Sequence, residues 1–200
     1  MLLLLFVAGC RSAQTEPYVE TFDTAGSWGV GRDNNTIGEV VNGRYELLVR
    51  APVDRFWTSA GQTFGSGIYQ VEATQVAGPI DNGYGLLLRI DGRSDSFYAF
   101  QVSGDGYVWI AHCARGCAEE RALVQSGWFE SPAVNQGLNV TNVLRVRADG
   151  SNLTFYVNDQ LVGQATDTAI ARGDIGLVVE TLGEGGVRVA FDNFSVTPLE

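Results

Sequence analysis

The chain has 200 residues, 45% hydrophobic and 18% charged, enough for one sizeable core and too few for two domains to be expected. A formal net charge of -10 opposes a phosphate-backbone partner, which needs clustered positive charge, so nucleic acid is excluded. All 13 basic residues are Arg, which removes Schiff-base and phosphate-loop lysines from the available chemistry.

The first ten residues, MLLLLFVAGC, form an apolar run too short to span a bilayer but suited to the core of an export signal. Its ending Val7-Ala8-Gly9-Cys10 resembles a bacterial lipobox, which implies diacylglycerol on the Cys10 thiol, a mature N-terminus at Cys10 and an extracytoplasmic, lipid-anchored chain. No Lys or Arg precedes Leu2, where a full export signal carries one. A frayed apolar terminus is the alternative. Residues 11–17, RSAQTEP, are polar and aperiodic, as a tether would be, so a single domain is expected over residues 18–200.

From Phe22 onward the pattern is alternation broken by turns, with no helical period, and the fold class is all-β. The 25 glycines and five prolines agree with many short strands and tight turns. Strands are expected at residues 44–50, 67–76, 84–90, 97–102 and 107–112, then at 142–147, 153–157, 175–179 and 187–196. Between them lie turn pairs such as Asn42-Gly43, Asp91-Gly92, Asp149-Gly150 and Asn158-Asp159. Such spacing predicts a two-sheet antiparallel sandwich or jelly roll. Residues 118–136, with Trp128 and Phe129, show no strand pattern and are expected as a long loop over the sheet or a helical turn. In VRVAFDNFSV the apolar phase slips at Asp192-Asn193, which predicts a β-bulge that returns both halves to the core.

Cys113 and Cys117 in AHCARGCAEE leave two readings. In an oxidising compartment the pair forms a small disulfide. Alternatively they join His112 as metal ligands, although a structural zinc site wants a fourth.

The succession DNGYGLLLR, FYAFQVSGDGYVWIA, NVLRVRADGSNLTFYVNDQLV and GDIGLVVETLGEGGVRVAFDNFSV resembles the concanavalin A-like lectin/glucanase superfamily over residues 18–196. The likeness is nearest to jelly-roll domains grouped with the 3-keto-disaccharide hydrolase family. It implies two antiparallel sheets, with any sugar on the concave side. It also implies a calcium ion away from the sugar site, for which Asp23 and Asp192 are the candidate ligands, since calcium wants hard oxygen donors. The alternative is that Asp192 only shapes the bulge.

Strand parity selects the candidate ligand-binding residues. With Leu86, Leu88 and Ile90 inward, Arg89 comes outward. By the same count Gln101 emerges from residues 97–102, Tyr107 and Trp109 from 107–112, and Glu72 from 67–76. Glu72, Arg89, Gln101, Tyr107 and Trp109 on one face would offer an aromatic platform with charged and amide groups, suited to a sugar ring. The competing reading is a solvated face on which Arg89 pairs with Glu72 and residues 118–136 cover Trp109.

Catalytic residues are not identified. The Glu-x-Asp-x-x-Glu run that places a glucanase's two carboxylates about 5 Å apart does not occur, nor does Gly-x-Ser-x-Gly, and His112 is the single histidine. The expected function is therefore a membrane-anchored, lectin-like glycan binder without catalysis. Two alternatives stay open: a glycoside-processing hydrolase of the 3-keto-disaccharide type, and a structural or protein-interaction domain.

Overall fold

The structure is a computed structural model that describes residues 14–199. The first strands are β1 (Tyr18–Glu20), β2 (Gly31–Arg32), β3 (Thr36–Val41), β4 (Arg44–Val49), β5 (Asp54–Ser59), β6 (Gly67–Ala77), β7 (Gly83–Asp91) and β8 (Ser96–Ser103). They continue as β9 (Tyr107–Ala114), β10 (Glu119–Ala122), β11 (Phe129–Glu130), β12 (Thr141–Asp149), β13 (Asn152–Val157), β14 (Gln160–Thr166), β15 (Asp174–Thr181) and β16 (Val187–Pro198). No helix occurs among the described residues, and none is long and apolar enough to cross a membrane. All nine expected strands form. Residues 118–136 hold the short strands β10 and β11 in place of a helical turn.

The larger sheet runs β14-β13-β12-β6-β16-β4-β3-β2 with β1 beside β16, and the smaller runs β10-β9-β8-β7-β15-β5 with β11 beside β9. Between strands the pairing is antiparallel throughout. Alternate residues of both sheets meet in one core, with Tyr69, Val71 and Ala73 of β6 and Leu144 and Val146 of β12 across from Leu86 and Leu88 of β7 and Tyr98 and Phe100 of β8. Strand β8 is buried along its whole length. Its outward residues are covered as well, which explains why the central strands read as unbroken apolar runs.

Two bulges decide which side chains face where. In β16 the register shifts between Asp192 and Ser195 and Asn193 takes φ 49°, so Phe191, Phe194 and Val196 all reach the core. In β7 the register shifts between Leu88 and Asp91, where Arg89 takes φ 53°. That second bulge overturns the expectation that Arg89 faces outward. Its side chain is 1% exposed and its guanidinium turns into the end of the sandwich. There Nη1 donates to Ile170 O at 3.0 Å, Nη2 donates to Gly150 O at 2.8 Å, and Nη2 and Nε both reach Gly65 O.

Beside Arg89, the Tyr98 hydroxyl donates to Asp167 Oδ1 at 2.8 Å and accepts from the Ile170 N–H at 3.1 Å. Asp167 also pairs with Arg121 and accepts from the Ala169 N–H. Burial pushes the Tyr98 phenol up to about 12, despite the hydrogen bond from Ile170. For Asp167, burial pushes the carboxyl up, but the bonds from Arg121, Ala169 and Tyr98 outweigh it and hold the group below the usual carboxylate range.

Cys113 and Cys117 are disulfide-bonded across the β9–β10 turn. His112 and Cys113 are strand neighbours and point to opposite faces. The His112 ring lies 5.5 Å from that of Tyr98 while Cys113 faces away from the core, so the three do not converge as metal ligands.

Replacing Arg89 with Met is expected to cost about 3 kcal/mol or more, because buried carbonyls in three loops lose their donor; urea unfolding measures it. The folded pKa of Asp167 lies below its unfolded value, so its stabilisation is present above the unfolded pKa and is lost as pH falls through the folded one. Asp167→Asn is accordingly expected to flatten the loss of stability below about pH 4, read from urea midpoints across the acid range.

Candidate functional site

The outward side chains of the smaller sheet form a second, smaller apolar cluster. Leu87, Phe97, Ala99, Trp109, Ala111, Cys113 and Val178 are buried there, with Trp57, Ile90, Cys117 and Trp128 packed at its margin. Trp128 comes from the segment between β10 and β11 and lies across the face. Its ring stacks on Trp109 with centroids 6.1 Å apart and planes 25° apart, and Trp109 Nε1 donates to Glu120 Oε1 at 3.1 Å.

A polar chain runs alongside these rings. Arg55 of β5 pairs with Glu180 Oε1 of β15 at 2.5 Å, and Gln101 Nε2 of β8 donates to Glu180 Oε2 at 3.0 Å. The Arg55 guanidinium also sits 5.2 Å from the centre of the Trp109 ring, a cation–π contact. The chain crosses β7 at Gly83, the register partner of both Glu180 and Ser103. A Cβ at Gly83 would meet the Gln101 side-chain oxygen and come within 2.9 Å of the Trp128 ring, so only glycine leaves room for this arrangement. Within the chain, Arg55 Nε and Gln101 Oε1 are buried without a hydrogen-bond partner.

At the Gly83 end, away from Arg89, a hollow of about 210 Å³ is lined by Asp81, Ser103, Asp105, Tyr107, Trp128 and Leu182. Another, of about 280 Å³, opens between the sheet edges beside Tyr45, Phe56 and Trp57.

Of the expected ligand-binding residues, Gln101, Tyr107 and Trp109 share this face, while Glu72 and Arg89 do not. Glu72 does point away from the core, but from β6 in the larger sheet, opposite Asp192, on the other outer surface of the sandwich. Arg89 is consumed by the loop carbonyls at its own end. Tyr107 is 38% exposed, whereas Trp109 is 4% exposed and Gln101 fully buried, so Gln101 and Trp109 form the floor beneath Trp128. Arg55, Trp57, Trp128 and Glu180 are the functional candidates that parity counting passed over. The signal for Arg55, Trp57 and Glu180 was present in DRFWTS and IGLVVET, where Arg55 and Trp57, like Val178 and Glu180, share one parity.

Asp23 accepts from the Thr21 hydroxyl at 2.9 Å and Asp192 from the Asn193 N–H at 2.8 Å. Among the described residues no three His, Cys, Asp or Glu side chains converge as a metal site. Cys10 and the expected signal segment lie outside the described residues.

Chemically the face is equipped to bind. The outward positions of β7, β8 and β9 carry no Asp or Glu. Of the carboxylates around it, Glu180 is engaged by Arg55 with Gln101 and Glu120 by Trp109, while Asp81 and Asp105 line the hollow at the Gly83 end.

No protein-family model matches the chain, and no curated protein matches it in sequence. Solved structures match its fold. The carbohydrate-binding module CBM66 from Bacillus subtilis superposes with a TM-score of 0.67 at 18% identity, covering 84% of this chain and 94% of that one. A native glycosidic hydrolase gives 0.65 at 14% identity over 95% and 99% of the two chains. A Bacillus licheniformis β-glucanase gives 0.62 at 14% identity over 92% and 99%. The two-sheet antiparallel jelly roll is thereby shared with both a binding module and hydrolases, and fold alone does not choose between them.

Proposed function

We propose that this protein is an extracytoplasmic lipoprotein whose jelly-roll domain binds a glycan, without cleaving it, on the outer face of the smaller sheet. The observation that carries this reading is the stacked Trp109–Trp128 pair lying against the Arg55–Glu180–Gln101 chain. A sugar ring presents a C–H face that stacks on an indole and hydroxyls that pair with charged and amide groups. Likeness to a carbohydrate-binding module supports the reading. The hydrolase alternative, including the 3-keto-disaccharide type, draws support from the hydrolase neighbours but finds no opposed carboxylates on the central strands. Anchoring rests on the order of apolar run, small residues and Cys10.

Full-length protein on a broad glycan array, with and without calcium, is expected to bind a subset of glycans, and Trp128→Ala to weaken that binding by about tenfold or more. A blank array overturns the binding reading, and a cleaved glycan in the wash overturns the non-catalytic one. Binding seen only with calcium would point to a cation held by Asp23 and Asp192. In a bacterial host, Cys10→Ser is expected to move the protein from the membrane fraction to the soluble one; an unchanged distribution overturns the anchor.

A further inference from the structure

At the Arg89 end of the sandwich a hollow of about 380 Å³ is lined by Thr63, Asp91, Arg93, Arg172 and Asp174 among others. Its two arginines stand apart from the rest. Every other described arginine is engaged, Arg50 and Arg89 by main-chain carbonyls and the remainder by carboxylates. Among the described residues the guanidinium groups of Arg93 and Arg172 make neither an ion pair nor a hydrogen bond, and both residues are exposed. The carboxylates of the same hollow are bonded elsewhere. Asp91 accepts from the Arg93 N–H at 3.0 Å and the Ser94 hydroxyl at 2.7 Å, and Asp174 accepts from the N–H groups of Gly61, Gln62 and Ile175. Charge is balanced there, but the unfilled donors belong to the guanidinium groups, with five N–H each.

The course of the chain points independently to what lies beyond this hollow. The Gln14 N–H donates to the carbonyl of Thr63 at 2.8 Å, and the Gln14 amide bonds the Gln62 side chain. Gln14 is thereby held against the domain at the hollow, only four residues after Cys10. Four residues span about 14 Å at full extension, and charges act over about 8 Å in physiological salt. A diacylglycerol on Cys10 would therefore bring Thr63, Arg93 and Arg172 up to the lipid headgroups, with Arg11 adding a third cation beside the anchor.

We propose that this end of the sandwich rests on the membrane, with Arg93 and Arg172 donating to the phosphate groups of anionic lipid. A guanidinium fork matches phosphate oxygens in pairs, and the loops that carry the two arginines are braced by the Arg89 clamp. A chain of net charge -10 is repelled by an anionic surface except where its uncommitted positive groups meet it. The inference rests on the anchoring of Cys10 proposed above and gives the anchored domain an orientation. The Gly83 end points away from the bilayer, and the Trp109–Trp128 face stands beside it, open to glycans.

In the test, the full chain purified from bacterial membranes is reconstituted into vesicles of phosphatidylglycerol and phosphatidylcholine in equal parts, or of phosphatidylcholine alone. Hydrogen exchange and sedimentation with the vesicles are the readouts. Amide exchange in residues 91–95 and 170–174 is expected to slow by about tenfold on the phosphatidylglycerol vesicles relative to phosphatidylcholine, since two arginines at an anionic surface contribute at least that much in affinity, while residues 103–107 at the far end are unchanged. Arg93→Gln with Arg172→Gln is expected to abolish the slowing and leave the protein in the vesicle pellet. Both side chains are exposed and unbonded, so the variant keeps its fold, which its thermal unfolding checks. Absent slowing, slowing equal on both vesicles, slowing that survives the double variant, or protection at residues 103–107 instead overturns the docking and leaves the anchor intact. Inorganic phosphate that reproduces the slowing without vesicles overturns it in favour of a free-anion site. Protein that stays out of the pellet removes the anchor and the docking together.

Discussion

A guanidinium buried without a carboxylate organises this molecule. Removing the charge of Arg89 from water is costly, and what offsets it is a set of backbone carbonyls from three separate connections: Gly65 after β5, Gly150 between β12 and β13, and Ile170 between β14 and β15. Those connections belong to both sheets. One planar fork with five donors therefore clamps one end of the sandwich, and the left-handed residue in β7 is what turns it inward. The neighbouring Tyr98–Asp167–Arg121 set ties the same β14–β15 connection to β8 and β10.

The opposite end is built differently. Gln101 Oε1 is buried and unpaired beside Gly83, and Gln75 Oε1, likewise unpaired, sits against Gly104 and Ile80. Unpaired buried groups are rare in folded proteins, and both of these lie towards the Gly83 end of the sandwich.

Between these ends the smaller sheet is buried on both faces. Its outward cluster of Leu87, Phe97, Ala99, Trp109 and Val178 acts as a second core, which seats Trp109 beneath the stacked ring of Trp128. The same packing fills the floor with Phe97, Ala99 and Gln101 of β8. The scaffold is shared by binders and enzymes alike, so its shape does not separate them.

Strand positions, the all-β class, the bulge at Asp192-Asn193 and the outward parity of Gln101, Tyr107 and Trp109 were legible in the sequence, because alternation is a local property with a period of two residues. Arg89 was misread because a one-residue bulge reverses parity, and the run Leu86 to Ile90 carries no local mark of it. Glu72 was misplaced for a different reason: parity says that a side chain leaves the core but not from which sheet, and β6 joins β12 and β16 only through pairings distant in the chain. Arg55 and Glu180, 125 residues apart, meet solely because β5 and β15 are neighbours. Sequence alone determined which residues could face outward; tertiary structure decided which of them share a surface, since the sheet partner of each strand is set by long-range packing.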